Sequence, residues 1–109
     1  DLWQASRQVM LELGLARLRA LHDAAEVRVR FDVGGSSYVV ERRGAAGFVA
    51  TGAPSLLPPG VRVGDCSARD DAIAFGPRGN ALNFGAVTLT ASAAERRVIV
   101  NISGHARIE

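Results

Sequence analysis

The chain has 109 residues and a mass of 11.5 kDa, enough for one hydrophobic core and too little for two. Its 48% hydrophobic and 22% charged residues exclude an intrinsically disordered polymer. A formal net charge of +2 is too small to argue for nucleic acid by itself.

All thirteen basic residues are arginine, a bias that GC-rich codon usage explains without any functional demand. Cys66 is the single cysteine, so an intrachain disulfide is excluded, and it reads as a small buried thiol. His22 and His105 lack ligand spacing, and neither a metal nor another cofactor is expected. No apolar run is long enough to cross a bilayer. The chain starts at Asp1 already inside a helical pattern, which suggests that an upstream segment has been removed, a membrane anchor included.

Residues 2–25 predict one amphipathic helix. Leu2, Val9, Leu13, Ala16 and Ala20 share one side, and Leu11, Leu15, Leu18 and Leu21 are expected to widen that apolar band. Gly14 costs about 1 kcal/mol relative to Ala in mid-helix, which a close approach to a sheet would explain. From Glu26 the period changes to two: Val27, Val29, Phe31 and Val33 oppose Arg28, Arg30 and Asp32. "GGSS" at 34–37 is a turn and 38–43 the returning strand of a hairpin, with Arg28, Arg30, Arg42 and Arg43 assigned to its polar face. Residues 44–60 carry no charge and read mostly as loop, with a short strand at 48–50. Further strands are expected at 61–63, 72–75, 85–91 and 96–103, followed by a short extended piece, "HARIE".

The result is an α+β domain: a helix over residues 1–25 and a β-rich head over 26–109, packed as one unit. The helix lies on antiparallel sheets of six or seven strands.

Motifs that suggest chemistry do not survive inspection. "FGPRGN" at 75–80 lacks both phosphate-loop spacings and leads into a strand, so Pro77, Gly79 and Asn80 read as turn residues. No serine lies in a nucleophile-elbow context. His22 and Asp23, adjacent on the helix, are not expected to face each other. Asp65, Asp70 and Asp71 crowd a loop but lack calcium-loop spacing and read as solvated. The arginines of the hairpin and of the C-terminal strands, interleaved with Glu26, Asp32, Glu41, Glu95 and Glu109, read as exposed strand faces with cross-strand ion pairs. No enzymatic activity is expected.

The layout "IAFGPRGNA", a Gly-rich link, "VTLTAS", a short turn and "RRVIVNISGHARIE" resembles the C-terminal half of GspH/FimT-type minor pseudopilins. The helix "ASRQVMLELGLARLRALHDAAEVRVRFD" is similar to the family's stretch between membrane anchor and head. The resemblance implies a pilin-like head and a structural role as a minor pseudopilin of a type II secretion system. Such a subunit assembles near the tip of the periplasmic pseudopilus and is held in the bacterial inner membrane by a preceding helix. Its implied partners are other pseudopilin or pilin subunits. Leu2, Trp3, Val9 and Met10 are then expected to project from the head and meet neighbours. The alternative is a type IV pilus minor pilin that binds DNA for uptake. In DNA-binding members a closing Gly-Arg-x-Arg supplies basic contacts. Here Gly104-His105-Ala106-Arg107 retains only the second arginine, leaving Arg96, Arg97, His105 and Arg107 as the DNA-contact residues to examine.

Overall fold

The computed structural model describes residues 1–109. One helix, α1 (Leu2–Asp23), precedes ten strands: β1 (Val27–Phe31), β2 (Ser37–Gly44), β3 (Gly47–Ala50), β4 (Ser55–Leu56), β5 (Arg62–Cys66), β6 (Ala72–Phe75), β7 (Ala81–Asn83), β8 (Gly85–Ala91), β9 (Ala94–Val100) and β10 (Ala106–Ile108). They form two antiparallel sheets. The first runs β3-β2-β1-β6-β7, with β4 paired to β2; the second runs β10-β9-β8-β5. Helix α1 contacts both and closes one shared core.

That core follows from the two periods in the sequence. Ala5, Val9, Leu13, Ala16 and Ala20 lie on one helix face and are buried. Against them stand the inward sets of the sheets: Val27, Val29 and Phe31 of β1, Val87 and Leu89 of β8, and Val98 and Val100 of β9. The residues facing the sheets from α1 are small or medium in size, so the helix backbone can approach both sheets closely. In β5 the register shifts between Val63 and Asp65, so Val63 and Cys66, three positions apart, both reach the core. Burial pushes the Cys66 thiol above its ordinary pKa, which makes it inert at neutral pH.

Several expected boundaries shift. The helix stops at Asp23 because Ala24 turns left-handed (φ 50°), its N–H still donating to the Ala20 carbonyl. There are ten strands rather than six or seven; β4 and β7 have only two and three residues, too few to show a period. β9 ends at Val100 instead of 103. Asn101 closes a turn there, its N–H donating to the His105 carbonyl while its Oδ1 accepts from the His105 N–H.

Gly14 is a correction. It lies on the side of α1 away from the sheets, and a Cβ there would meet no atom within 4 Å. Close approach to the protein's own sheets does not explain it. Arg42 also departs from expectation: it pairs with Val27 in register, on the core side of the hairpin, and reaches past the helix end to Asp23 at 3.6 Å.

Candidate subunit-packing surface

Helix α1 is apolar on two opposite faces. Leu11, Leu15 and Leu18, at i, i+4 and i+7, stand 62%, 60% and 59% exposed, turned away from the buried stripe. Trp3 and Leu21 flank them, about half exposed. These leucines are not the widened edge of the core band that the sequence predicts. The core is already filled by Leu13 and its small neighbours, so the outer leucines have nothing of their own chain to cover them.

Two open grooves border this ridge. One runs beside Trp3, Leu11 and Leu15 and is walled by Tyr38 and Pro58. There Gln8 Nε2 donates to Tyr38 Oη and to the Leu56 carbonyl, both at 2.9 Å, pinning the 55–58 segment against the helix. Burial raises the Tyr38 pKa, partly opposed by the Gln8 hydrogen bond. The other groove lies between Met10, Gly14 and Leu18 on the helix and the Gly104–Ala106 turn. Gly14 opens a notch there that any other residue would fill.

The four projecting residues predicted from the sequence separate. Trp3 is exposed, with the Arg96 guanidinium 5.7 Å from its ring centroid. Leu2 and Met10 are partly buried against the head core, and Met10 also lines the second groove. Val9 is a correction: it is 1% exposed, inside the core, and out of reach of a neighbouring subunit. Its spacing to Leu13, Ala16 and Ala20 already carries that signal. The stripe of Leu11, Leu15 and Leu18 was missed as a surface, although its own i, i+4, i+7 spacing was present.

The C-terminal basic residues do not form one patch. Arg96 has the parity of Val98 and lies toward the helix side of β9; Arg97 and Arg107 lie on the other face. Both of the latter approach Glu109: Arg97 Nη2 pairs with Oε1, and Arg107 Nη2 is 3.7 Å from Oε2. His105 is exposed in the turn after β9.

The two turns singled out in the sequence meet each other. In 76–80, the Gly76 N–H donates to the Asn80 carbonyl and the Gly79 N–H to the Gly76 carbonyl, both at 2.9 Å. Arg17 Nε, from the helix, donates to the Gly79 carbonyl at 2.7 Å. Gly104, buried with φ 92°, lies so close that a Cβ would overlap that carbonyl. "GPRGN" and "SGHAR" thus form one structural junction stapled by Arg17, and the Gly79 oxygen is occupied from within.

On the outer face of the first sheet, Glu41 accepts from Arg28 Nε at 2.7 Å and from Arg30 Nε at 3.2 Å. Partial burial pushes the Glu41 carboxyl upward, but the hydrogen bonds from Arg30 and Arg28 outweigh it and hold the pKa below the ordinary value. His22 and Asp23 do meet, contrary to expectation: Nδ1 and Oδ1 are 2.8 Å apart at the C-terminal end of the helix. That hydrogen bond, with Arg42 nearby, lowers the Asp23 pKa. Asp65, Asp70 and Asp71 do not assemble into a metal-holding group.

A helix laid across two antiparallel sheets, with its outer face apolar and open, defines a pilin-like head domain. The family described as Type II transport protein GspH matches residues 5–104, and the chain belongs to that family. Its fold is that of a GspH-type pseudopilin. A structure of the minor pseudopilin EpsH from the type 2 secretion system of Vibrio cholerae superposes with a TM-score of 0.80. That match has 15% identity and covers 100% of this chain and 96% of the other. A crystal structure of the same Vibrio cholerae pseudopilin gives a TM-score of 0.72 at 16% identity, over 94% and 89% of the two chains. A search of curated protein sequences finds no match. Family and fold are those of a structural pseudopilin, not of an enzyme.

Proposed function

We propose that this chain is the head of a minor pseudopilin that assembles into the periplasmic pseudopilus of a type II secretion system near its tip, supporting protein export. The observation that carries the proposal is the exposed stripe Leu11, Leu15 and Leu18, with Trp3, on a helix whose opposite face already holds the core. A second apolar stripe at helical spacing is the surface that another helix covers, and leaving it in water is unfavourable by about 25 cal/mol per Å². The neighbouring subunit's helix is its occupant in the filament. Anchoring in the inner membrane by a helix upstream of Asp1 belongs to the same reading and rests on the family resemblance.

The test is Leu15→Arg in the full-length protein, in cells that depend on it for export. Export should fall sharply while the purified head keeps its wild-type unfolding temperature. Full export by a stably produced Leu15→Arg protein would overturn the assembly surface.

The DNA-binding alternative has less support, because Arg96 faces away from Arg97 and Arg107 and the latter two share Glu109. A gel shift with duplex DNA separates the readings. Retention at physiological salt that is lost on Arg107→Ala would favour DNA; no shift at low salt would remove it.

A further inference from the structure

The uncharged segment 44–60 contains a sheet edge that the fold leaves bare. Strand β5 has its outer edge bonded by the 34–35 turn, with Gly34 N–H to the Val63 carbonyl and Val63 N–H to the Gly35 carbonyl, both at 2.8 Å. β7 is met by the turn after β9, with Ala81 N–H to the Ile102 carbonyl at 3.0 Å. β10 has β9 on one side and carries a charge, Arg107, at its centre. β3 has only β2, on one side.

The register tells which groups point outward. Thr51 N–H donates to the Val40 carbonyl, so positions 47, 49 and 51 turn their backbone groups toward β2. Phe48 and Ala50 therefore turn theirs to solvent, and neither makes a backbone bond outside the β2 ladder. No charge, proline or bulge blocks this edge, the usual devices against strand addition.

The surroundings are cationic. Arg42 and Arg43 line a shallow groove with Val49, Ala50 and Thr51, one from each face of the sheet. Arg19 Nη1 reaches Thr51 Oγ1 at 3.2 Å, and the Arg28 guanidinium stacks 3.7 Å from the Phe48 ring centroid. With Arg30 these make five arginines against the three carboxylates Asp23, Glu26 and Glu41 that they bond. Arg42 and Arg43 remain more than half exposed, with donors to spare.

We propose that β3 is a docking edge for an extended acidic segment of a partner protein, which adds outside β3 as a seventh strand of that sheet through the backbone of Phe48 and Ala50. Alternate side chains of the added strand fall toward Arg43 on one face and Arg42 on the other, so carboxylates at those positions are matched. A second copy pairing β3 with β3 would set the two arginine clusters against each other. The site is independent of the helix ridge and stands or falls separately from it.

The test is amide NMR of the folded head titrated with a short synthetic peptide alternating valine and glutamate, alongside its valine–lysine counterpart and duplex DNA. The glutamate peptide should slow exchange of the Phe48 and Ala50 amides and bind much better than the lysine peptide. Ala50→Pro removes the outward N–H without touching the β2 ladder and should weaken binding by up to about tenfold. Should Ala50→Pro not fold, Arg43→Gln is expected to reduce the preference for glutamate over lysine with the amide protection still at 48 and 50. Shifts confined to α1, equal binding of both peptides, concentration-dependent protection without peptide, or stronger perturbation by DNA would each overturn the proposal.

Discussion

The two faces of α1 contain similar residues and do opposite work. Val9, Leu13, Ala16 and Ala20 are buried because β1, β8 and β9 offer matched apolar rows. Leu11, Leu15 and Leu18 are as apolar and as regularly spaced, yet they stand in water. A hydrophobic stripe is therefore a demand for a partner and not evidence of where the partner is; one stripe is met within the chain and the other is met by nothing in it. The glycines divide in the same way. Gly104 is required by the fold, whereas Gly14 is free of it.

The sharpest way to break this contrast is to truncate one leucine on each face. Leu13→Ala should destabilise the isolated head by about 2–5 kcal/mol, because it opens a cavity in a closed core. Leu15→Ala should change stability by no more than about 0.5 kcal/mol while weakening assembly. Urea unfolding of both variants checks the pair, and equal losses would erase the distinction.

Gly104→Ala comes next. It forces a left-handed backbone on a residue with a Cβ and drives that carbon into the Gly79 carbonyl, for an expected loss of roughly 1–3 kcal/mol. Loosening of the Arg17 staple should appear as faster hydrogen exchange around 76–80.

Gly14→Ala should do the reverse, stabilising the isolated head by about 1 kcal/mol through helix propensity. If the notch between Met10 and Leu18 receives a neighbour's side chain, the same variant assembles less well despite being more stable. Thermal unfolding beside an export assay separates the two effects.

The smallest effect concerns pH and lies off the helix. Glu41 has its folded pKa held below the unfolded value of 4.5, so its pairing with Arg28 and Arg30 is fully present above that pH. Its contribution is lost as pH falls through the lower, folded value. Glu41→Gln should flatten the acid limb of the stability profile and leave both helix faces unchanged.

Much of the fold was legible because alternation and helical spacing state which residues want burial. β6 and β8 have the bounds that their patterns predict, and the expected cross-strand ion pairs form, Arg28 and Arg30 with Glu41 and Arg43 with Glu26. β4 and β7 were not legible, since two or three residues carry no period; β4 is held by the remote β2, and β7 by the adjacent β6. The candidate surface was half legible. Trp3 is exposed as expected and Val9 lies in the core where its spacing to Leu13 puts it, but Leu11, Leu15 and Leu18, expected to widen the core band, face outward, because amphipathicity measures spacing and not direction.

Residue periods alone determined the helix and the alternating strands, and the closing motifs carried the resemblance to the family. The tertiary structure decided which helix stripe faces the sheets, since only there do small side chains at 5, 16 and 20 allow the backbone to come close. It also decided that Gly79 and Gly104, 25 residues apart in sequence, touch at Arg17, and that β3 is left without a second neighbour. These are relations between segments far apart along the chain, and no local pattern encodes them.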